Sequence, residues 1–152
     1  MVSLQKPFDR EDAMWNYEHS ITTSAAAEAI WAYYEDPARW PEWDPEIKEL
    51  TLDRPFGAGA SGFLHLHDLP PAPLAVTEVQ PPTDFRTETG MPDGTVIGFT
   101  HRLRAETGGR VRITHGVQIA GPSAGAELGA LLTAGVPDAM RRLADVAEAD
   151  AG

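Results

Sequence analysis

The chain reads as an α+β domain: a seven-stranded antiparallel sheet, one face covered by a long C-terminal helix, with two short helices after the first strand. Three observations predict this. Period-two alternation marks the short segments that start at Trp15 and, after two short helices, run from Ile47 to Ile119, Gly- and Pro-rich clusters separate the later segments, and the period turns helical from Ser123 to about Ala149. An antiparallel sheet with one wet face must cover the other, and the terminal amphipathic run is the one element long enough to lie across it.

Residues 1–13 form a polar arm. Trp15, Tyr17, His19 and Ile21 then alternate with Asn16, Glu18 and Ser20, the signature of a half-buried strand. Thr22-Thr23-Ser24 is the expected N-cap of a helix over Ala25 to Glu35, whose Ile30, Trp31, Tyr33 and Tyr34 are apolar on more than one face and need cover. The sixteen residues from Ile30 to Pro45, IWAYYEDPARWPEWDP, hold three tryptophans. Asp36-Pro37 reads as an N-cap followed by proline at the first helical position, and Trp40-Pro41 is expected to stop that short helix. Two helices meeting at a Trp-rich bend read as a clamp on one end of a curved sheet.

Six further strands are expected near 47–53, 61–69, 73–80, 84–90, 95–106 and 110–120, with turns at PFGAG, LPPAP, QPPTD and GMPDG. In the last helix Leu128, Leu131, Leu132, Val136, Ala139, Met140, Leu143 and Val146 recur at three- and four-residue steps, leaving Glu127, Asp138, Arg141, Arg142, Asp145 and Glu148 for water. Pro137 is expected to bend that helix by removing one backbone hydrogen bond. The domain thus spans 14–149, and 150–152 is a frayed tail.

A length of 152 residues fits one domain with a single core and a modest pocket. A net charge of −11 argues against nucleic acid and anionic membranes, leaving small molecules or basic partners. Without cysteine there are no disulfides, thiolate nucleophiles, iron–sulfur clusters or Cys-based zinc sites. No stretch has the apolar length of a signal peptide core or a spanning helix, so the expectation is a cytoplasmic protein with no membrane insertion.

The order strand, two short helices, six strands and one long helix, with IWAYYEDPARWPEWDP after the first strand and GRVRITHGVQIAGP leading into the last helix, resembles the SRPBCC superfamily of START lipid-transfer domains and birch-pollen allergens. Within it the chain looks most like small bacterial proteins labelled polyketide cyclase/dehydratase, from Met14 to about Glu148. The resemblance implies the helix-grip fold and a hydrophobic ligand between sheet and long helix. The group has no universal catalytic motif to carry over.

The terminal hairpin is where the residues themselves point to chemistry. Ile97, Phe99, His101 and Leu103 share one face of the sixth strand, and Val111, Ile113, His115, Val117 and Ile119 one face of the seventh. If Thr107-Gly108-Gly109 is a three-residue loop, His101 and His115 stand directly opposite each other. With the first strand beside the seventh, Tyr17 or His19 could join them. Two imidazoles and a phenol suit enolisation, aldol-type ring closure or dehydration, one group taking a proton and another giving one. The alternative is that each histidine is a core residue bonded to a neighbour or to buried water.

These readings give a cofactor-free cyclase or dehydratase acting on a secondary-metabolite intermediate, or a non-catalytic carrier or sensor of a hydrophobic ligand; a third reading, a protein-binding module like the co-chaperone domains of the superfamily it resembles, predicts a filled core with no pocket. In the first, His101 and His115 shuttle protons and Tyr17 or His19 orients an oxygen. Trp40, Trp43, Phe99, Leu103, Val117, Leu132, Val136 and Met140 are the expected cavity walls, although Trp40 and Trp43 also suit plain core packing. His65 and His67 share a face of the third strand but lack a third metal ligand, since Asp68 points to the other face, so no metal is expected. Either Leu64 and Leu66 or Phe63 could mark the inward side of that strand. Arg102, Arg104, Arg110, Arg112 and Arg86 form a basic patch. It reads as a dock for an acidic partner such as an acyl carrier protein, or as a solvated face balanced by Glu88 and Glu106.

Overall fold

The computed structural model describes residues 13–151. Strand β1 (Met14–Thr23) leads into helix α1 (Ala27–Tyr34), a 3-10 turn (Pro37–Arg39) and the one-turn helix α2 (Trp40–Trp43). Strands β2 (Ile47–Leu52), β3 (Ser61–Leu66), β4 (Ala72–Gln80), β5 (Asp84–Gly90), β6 (Val96–Glu106) and β7 (Arg110–Ala120) follow, then helices α3 (Ala126–Thr133) and α4 (Val136–Ala151). The seven strands form one antiparallel sheet in the order β1-β7-β6-β5-β4-β3-β2. The meander from β2 to β7 ends beside β1, so β1 and β2 are the two edges and α1 and α2 carry the chain from one to the other.

Alternation sorts the strands as expected. On β7, Val111, Ile113, His115, Val117 and Ile119 are all buried, while Arg110, Arg112 and Gln118 are exposed. On β3 the inward side belongs to Leu64 and Leu66, which pack on the core, whereas Phe63 is 51% exposed and His67 lies in solvent. The β6–β7 loop is the three-residue turn Thr107–Gly109, with Gly108 and Gly109 at φ 78° and 73°. Positive φ at both positions lets the strands turn back at that point, and glycine adopts it without steric cost.

The core falls into two apolar clusters. The larger holds Ile30, Trp31, Tyr34, Trp40, Trp43, Phe85, Leu103, Ile113, Met140 and Leu143 among others, joining α1, α2 and α4 to the sheet. The smaller centres on Ile97, Val117 and Ile119, with Trp15, Tyr17, Phe99, Leu128 and Leu132 packed on it under α3. Fully buried side chains such as Met140 and Leu143 each contribute about 1.5–3 kcal/mol through removal of apolar surface from water.

The helices differ from expectation in their punctuation. The terminal helix is two pieces with a break at Ala134-Gly135, and Pro137 lies in the first turn of α4 instead of bending a continuous helix. Pro41 likewise sits in the first turn of α2 and starts that helix instead of stopping it. The reason is shared: a first-turn N–H has no intrahelical partner, so proline loses nothing there. Asp36 does cap, accepting from Ala38 N at 3.1 Å ahead of Pro37. Thr22-Thr23-Ser24 does not: the N-cap of α1 is Ala26 without a side-chain bond, and Thr23 Oγ1 instead accepts from Ala25 N and donates to Glu148. Leu131 is 75% exposed, turned away from the sheet by the register of the short α3.

Gly62 pairs with Leu52 on the adjacent edge strand, where a Cβ would come within 1.8 Å of the Thr51 carbonyl oxygen. Gly62→Ala should therefore lower unfolding free energy by about 1–3 kcal/mol, since a backbone atom cannot yield as a side chain can. Gly90→Ala, with open space where its Cβ would go, is the control and should stay near wild type in the same urea titration.

Candidate functional site

Strand pairing lines up four inward-facing side chains in one row across the sheet. His19 on β1 pairs with His115 on β7, His115 with His101 on β6, and His101 with Phe85 on β5. The row lies between two apolar ones, Ile21–Ile113–Leu103 in the larger cluster and Tyr17–Val117–Phe99 in the smaller. It is a polar belt through the core.

The His101 and His115 ring centroids are 4.5 Å apart, edge to face, and the two residues keep only 8% and 7% of their surface. Phe85 stacks flat on His101 at 3.9 Å and 4°. From above, α1 lowers Tyr34, fully buried, so that its hydroxyl meets His115 Nε2 at 2.7 Å. Trp43 of α2 closes the corner, its ring 5.9 Å from both His115 and Tyr34, and Trp40 ties α2 to α1 by donating from Nε1 to the Tyr34 carbonyl at 2.9 Å. Among the described residues, two buried side-chain polar atoms have no hydrogen-bond partner: His101 Nδ1 and Trp43 Nε1. Both border this cluster, and orphaned polar atoms in an apolar interior call for a partner that the chain itself does not supply.

Burial keeps the site uncharged. It pushes His115 down to about 3, with His19 adding to the effect, and holds His101 well below the usual imidazole range, with His115 adding to it and a hydrogen bond with the Phe85 backbone opposing it. Burial also raises the Tyr34 phenol well above its ordinary value. Beyond the far end of α2, burial lifts the Asp44 carboxyl to about 6 against the opposing hydrogen bond from Glu46 N.

The other candidate residues scatter. Tyr17 stays out of the histidine row: it lies in the smaller cluster, its ring parallel to Trp15 at 6.2 Å. His19 is half-buried on the edge strand. The eight wall residues divide between clusters, with Trp40, Trp43, Leu103, Met140 and Val136 in or on the larger and Phe99, Val117 and Leu132 in or on the smaller. Recesses of about 400, 660 and 340 Å³ are lined mainly by outward-facing residues such as Asn16 and Gln118, Phe63 and Ala75, and Glu78 and Arg86. Below α1 and α2, the space over the histidines is occupied by Tyr34 and Trp43 themselves.

Four of the five outer arginines are neutralised by carboxylate neighbours. Arg102 pairs with Glu18 at 3.1 Å, Arg104 with Asp84 at 2.7 Å, Arg112 with Glu106, and Arg86 with Glu88 at 3.1 Å, while Arg110 donates to Thr22. Among the described residues no group of three or more His, Asp or Glu is arranged to hold a metal ion, and no helix is long and apolar enough to cross a membrane.

Sequence reasoning missed Tyr34 and Phe85 as members of the site. Tyr34 carried a weak signal: a phenol on a helix that is apolar on several faces must bring its hydroxyl into the core. Phe85 carried none, because its place depends on the β5–β6 register.

A histidine held neutral in the fold binds a proton more readily when unfolded, so stability is present above the unfolded value near 6.5 and is lost as pH falls below it. Asp44, raised in the fold, has the opposite sign and gains stability as pH falls through about 6. Subtraction isolates the imidazoles. From pH 6 to 4.5, wild type should lose about 2 kcal/mol or more per pH unit relative to the His101→Gln/His115→Gln variant, measured by urea unfolding.

The family described as polyketide cyclase / dehydrase and lipid transport matches residues 14–148. No curated protein sequence matches the chain. The di-domain ARO/CYC StfQ from the steffimycin biosynthetic pathway is similar at a TM-score of 0.77 and 13% identity, over 97% of this chain and 55% of its own, so this chain spans about half of StfQ. Ara h 8.0201 is similar at 0.71 and 11%, over 90% of this chain and 99% of its own. Norcoclaurine synthase from Thalictrum flavum is similar at 0.70 and 15%, over 91% and 90%. At such identities the likeness shows a common fold and nothing finer. Matched from its first strand almost to the end of its last helix, the chain belongs to the polyketide cyclase / dehydrase and lipid transport family and has the helix-grip fold.

Proposed function

We propose that the chain binds a small, mostly apolar molecule against the His101–His115 pair and acts on it without a cofactor, as a cyclase or dehydratase of a secondary-metabolite intermediate. The observation that carries this reading is the pair of buried orphaned atoms, His101 Nδ1 and Trp43 Nε1, beside two facing neutral imidazoles. A guest bearing a hydroxyl among apolar groups satisfies such atoms, accepting from Trp43 Nε1 and donating to His101 Nδ1, and the surrounding aromatics give it a dry, shaped environment. Trp43 and Tyr34 fill the space over the pair, so the guest takes its place by displacing Trp43 while Tyr34 keeps its bond to His115.

The chemistry follows from the neutral state. An uncharged imidazole with a free lone pair accepts a proton from an acidic C–H or O–H, and a second imidazole carrying its N–H donates to the oxygen where negative charge develops. Confinement adds to this: holding a flexible chain in a near-attack shape removes several kcal/mol of entropic barrier, on the order of what effective molarity provides. The family description also includes lipid transport, which keeps a non-catalytic carrier as the rival reading. On the outer face each of Arg86, Arg102, Arg104 and Arg112 has a carboxylate partner, so a free small molecule explains that face as well as an acyl carrier protein does.

Native mass spectrometry of the freshly purified protein should show a copurifying small molecule, which then serves as the probe. His101→Phe and His115→Phe should bind it within a few-fold of wild type and lose turnover of it, or of its precursor, by about a hundredfold or more. Unchanged turnover in both variants would end proton shuttling by this pair and leave a reaction driven by shape alone, whereas binding without turnover in the wild type would put the carrier reading in its place.

A further inference from the structure

The Tyr34–His115 contact contains more information than a packing contact does. Tyr34 Oη is fully buried, and among the described residues its one hydrogen-bond partner is His115 Nε2 at 2.7 Å. A single proton occupies the line between them, and two arrangements are available. If His115 carried its proton on Nε2 and donated to Oη, the phenol proton would be left in the core with nothing to bond to. An orphaned buried O–H costs the whole desolvation of that group. If Tyr34 donates to Nε2, the phenol is satisfied and His115 carries its proton on Nδ1. A proton on His115 Nδ1 costs less than an orphaned phenol, because the fully buried unpartnered atoms of this cluster are His101 Nδ1 and Trp43 Nε1.

The neighbouring imidazole stands in the opposite situation. His101 faces His115 edge to face, and its Nδ1 is orphaned. An unmet lone pair is better tolerated in a core than an unmet N–H, so His101 carries its proton on Nε2 and leaves Nδ1 as an acceptor. The two histidines are therefore not equivalent, although strand register places them directly opposite each other. What separates them is one hydroxyl from α1.

We infer that Tyr34 is a positioning residue that locks His115 in the Nδ1–H form, making His115 the hydrogen-bond donor of the pair and leaving His101 Nδ1 as its proton acceptor. This rests on the reading of the two histidines as the working pair, to which it adds a division of labour. Tyr34 does not touch the guest in this role. It acts through His115, as a second group that fixes which imidazole nitrogen carries the proton. A substrate that fits has an acidic C–H or O–H toward His101 and a carbonyl or hydroxyl oxygen toward His115.

The test needs only the protein. Long-range ¹H–¹⁵N correlation spectra of uniformly ¹⁵N-labelled protein at neutral pH report which ring nitrogen of each histidine is protonated. Wild type should show His115 protonated at Nδ1 with Nε2 as a hydrogen-bonded acceptor, and His101 protonated at Nε2. In Tyr34→Phe, which keeps the ring packing against Phe85 and Trp43, the His115 Nε2–H to Nδ1–H ratio should rise on the order of tenfold, as loss of one buried hydrogen bond allows. A wild-type His115 protonated at Nε2, or a ratio unchanged in Tyr34→Phe, would overturn the inference. Should Tyr34→Phe not fold, the wild-type spectrum alone decides. The outcome is separable from the functional reading: loss of the tautomer lock leaves the turnover experiment standing, and undiminished turnover without the histidines leaves the lock standing.

Discussion

Everything at the centre of this molecule depends on β7 holding its register against β1 on one side and β6 on the other. The side-chain period of a strand is two, so a slip of one residue would turn His115 to the outer face and bring Thr114 or Gly116 inward. The short turn with Gly108 and Gly109 at positive φ sets one pairing. The edge strand sets the other through the ladder from Met14↔Ala120 to Thr23↔Val111. Burial of Ile113, Val117 and Ile119 then penalises any alternative on both sides of the histidines at once.

Given that register, the histidine row interrupts what would otherwise be one continuous apolar face. The two clusters on either side are separate for that reason, and α3 and α4 follow the same division, α3 over the smaller and α4 over the larger. A polar belt in a core is tolerated only while its members stay uncharged and mostly bonded. Here desolvation ensures the first condition and Tyr34 meets part of the second. The orphaned nitrogens of His101 and Trp43 are what the fold leaves unmet. They lie where α1, α2 and the sheet converge.

The tryptophan-rich corner and the terminal helix are both built around prolines that start helices. Pro37, Pro41 and Pro137 each occupy a first turn, where the chain has no intrahelical bond to lose. This lets the chain change direction twice between α1 and β2, bringing Trp40 and Trp43 down on the same aromatic cluster that Tyr34 and Phe85 enter from other elements. The outer face is organised differently, by cross-strand ion pairs such as Arg102–Glu18 and Arg104–Asp84.

Strand alternation, the turn clusters and the amphipathic C-terminal run were enough to define the seven-stranded sheet and its helical cover, because backbone periodicity and burial are written locally along the chain. The opposition of His101 and His115 was legible for the same reason, since a short hairpin loop leaves few registers to choose from. The helix punctuation was not: a proline that starts a helix and one that stops a helix look alike until the residues before it are placed. Tertiary structure alone decided that His19 rather than Tyr17 continues the row, that Phe85 stacks on His101, that the expected wall residues divide into two clusters, and above all that Tyr34 meets His115. The last contact joins residues 81 apart in sequence, on a helix and a strand whose relative depth is set by how the aromatic side chains of several elements pack. Local patterns carry no record of that depth.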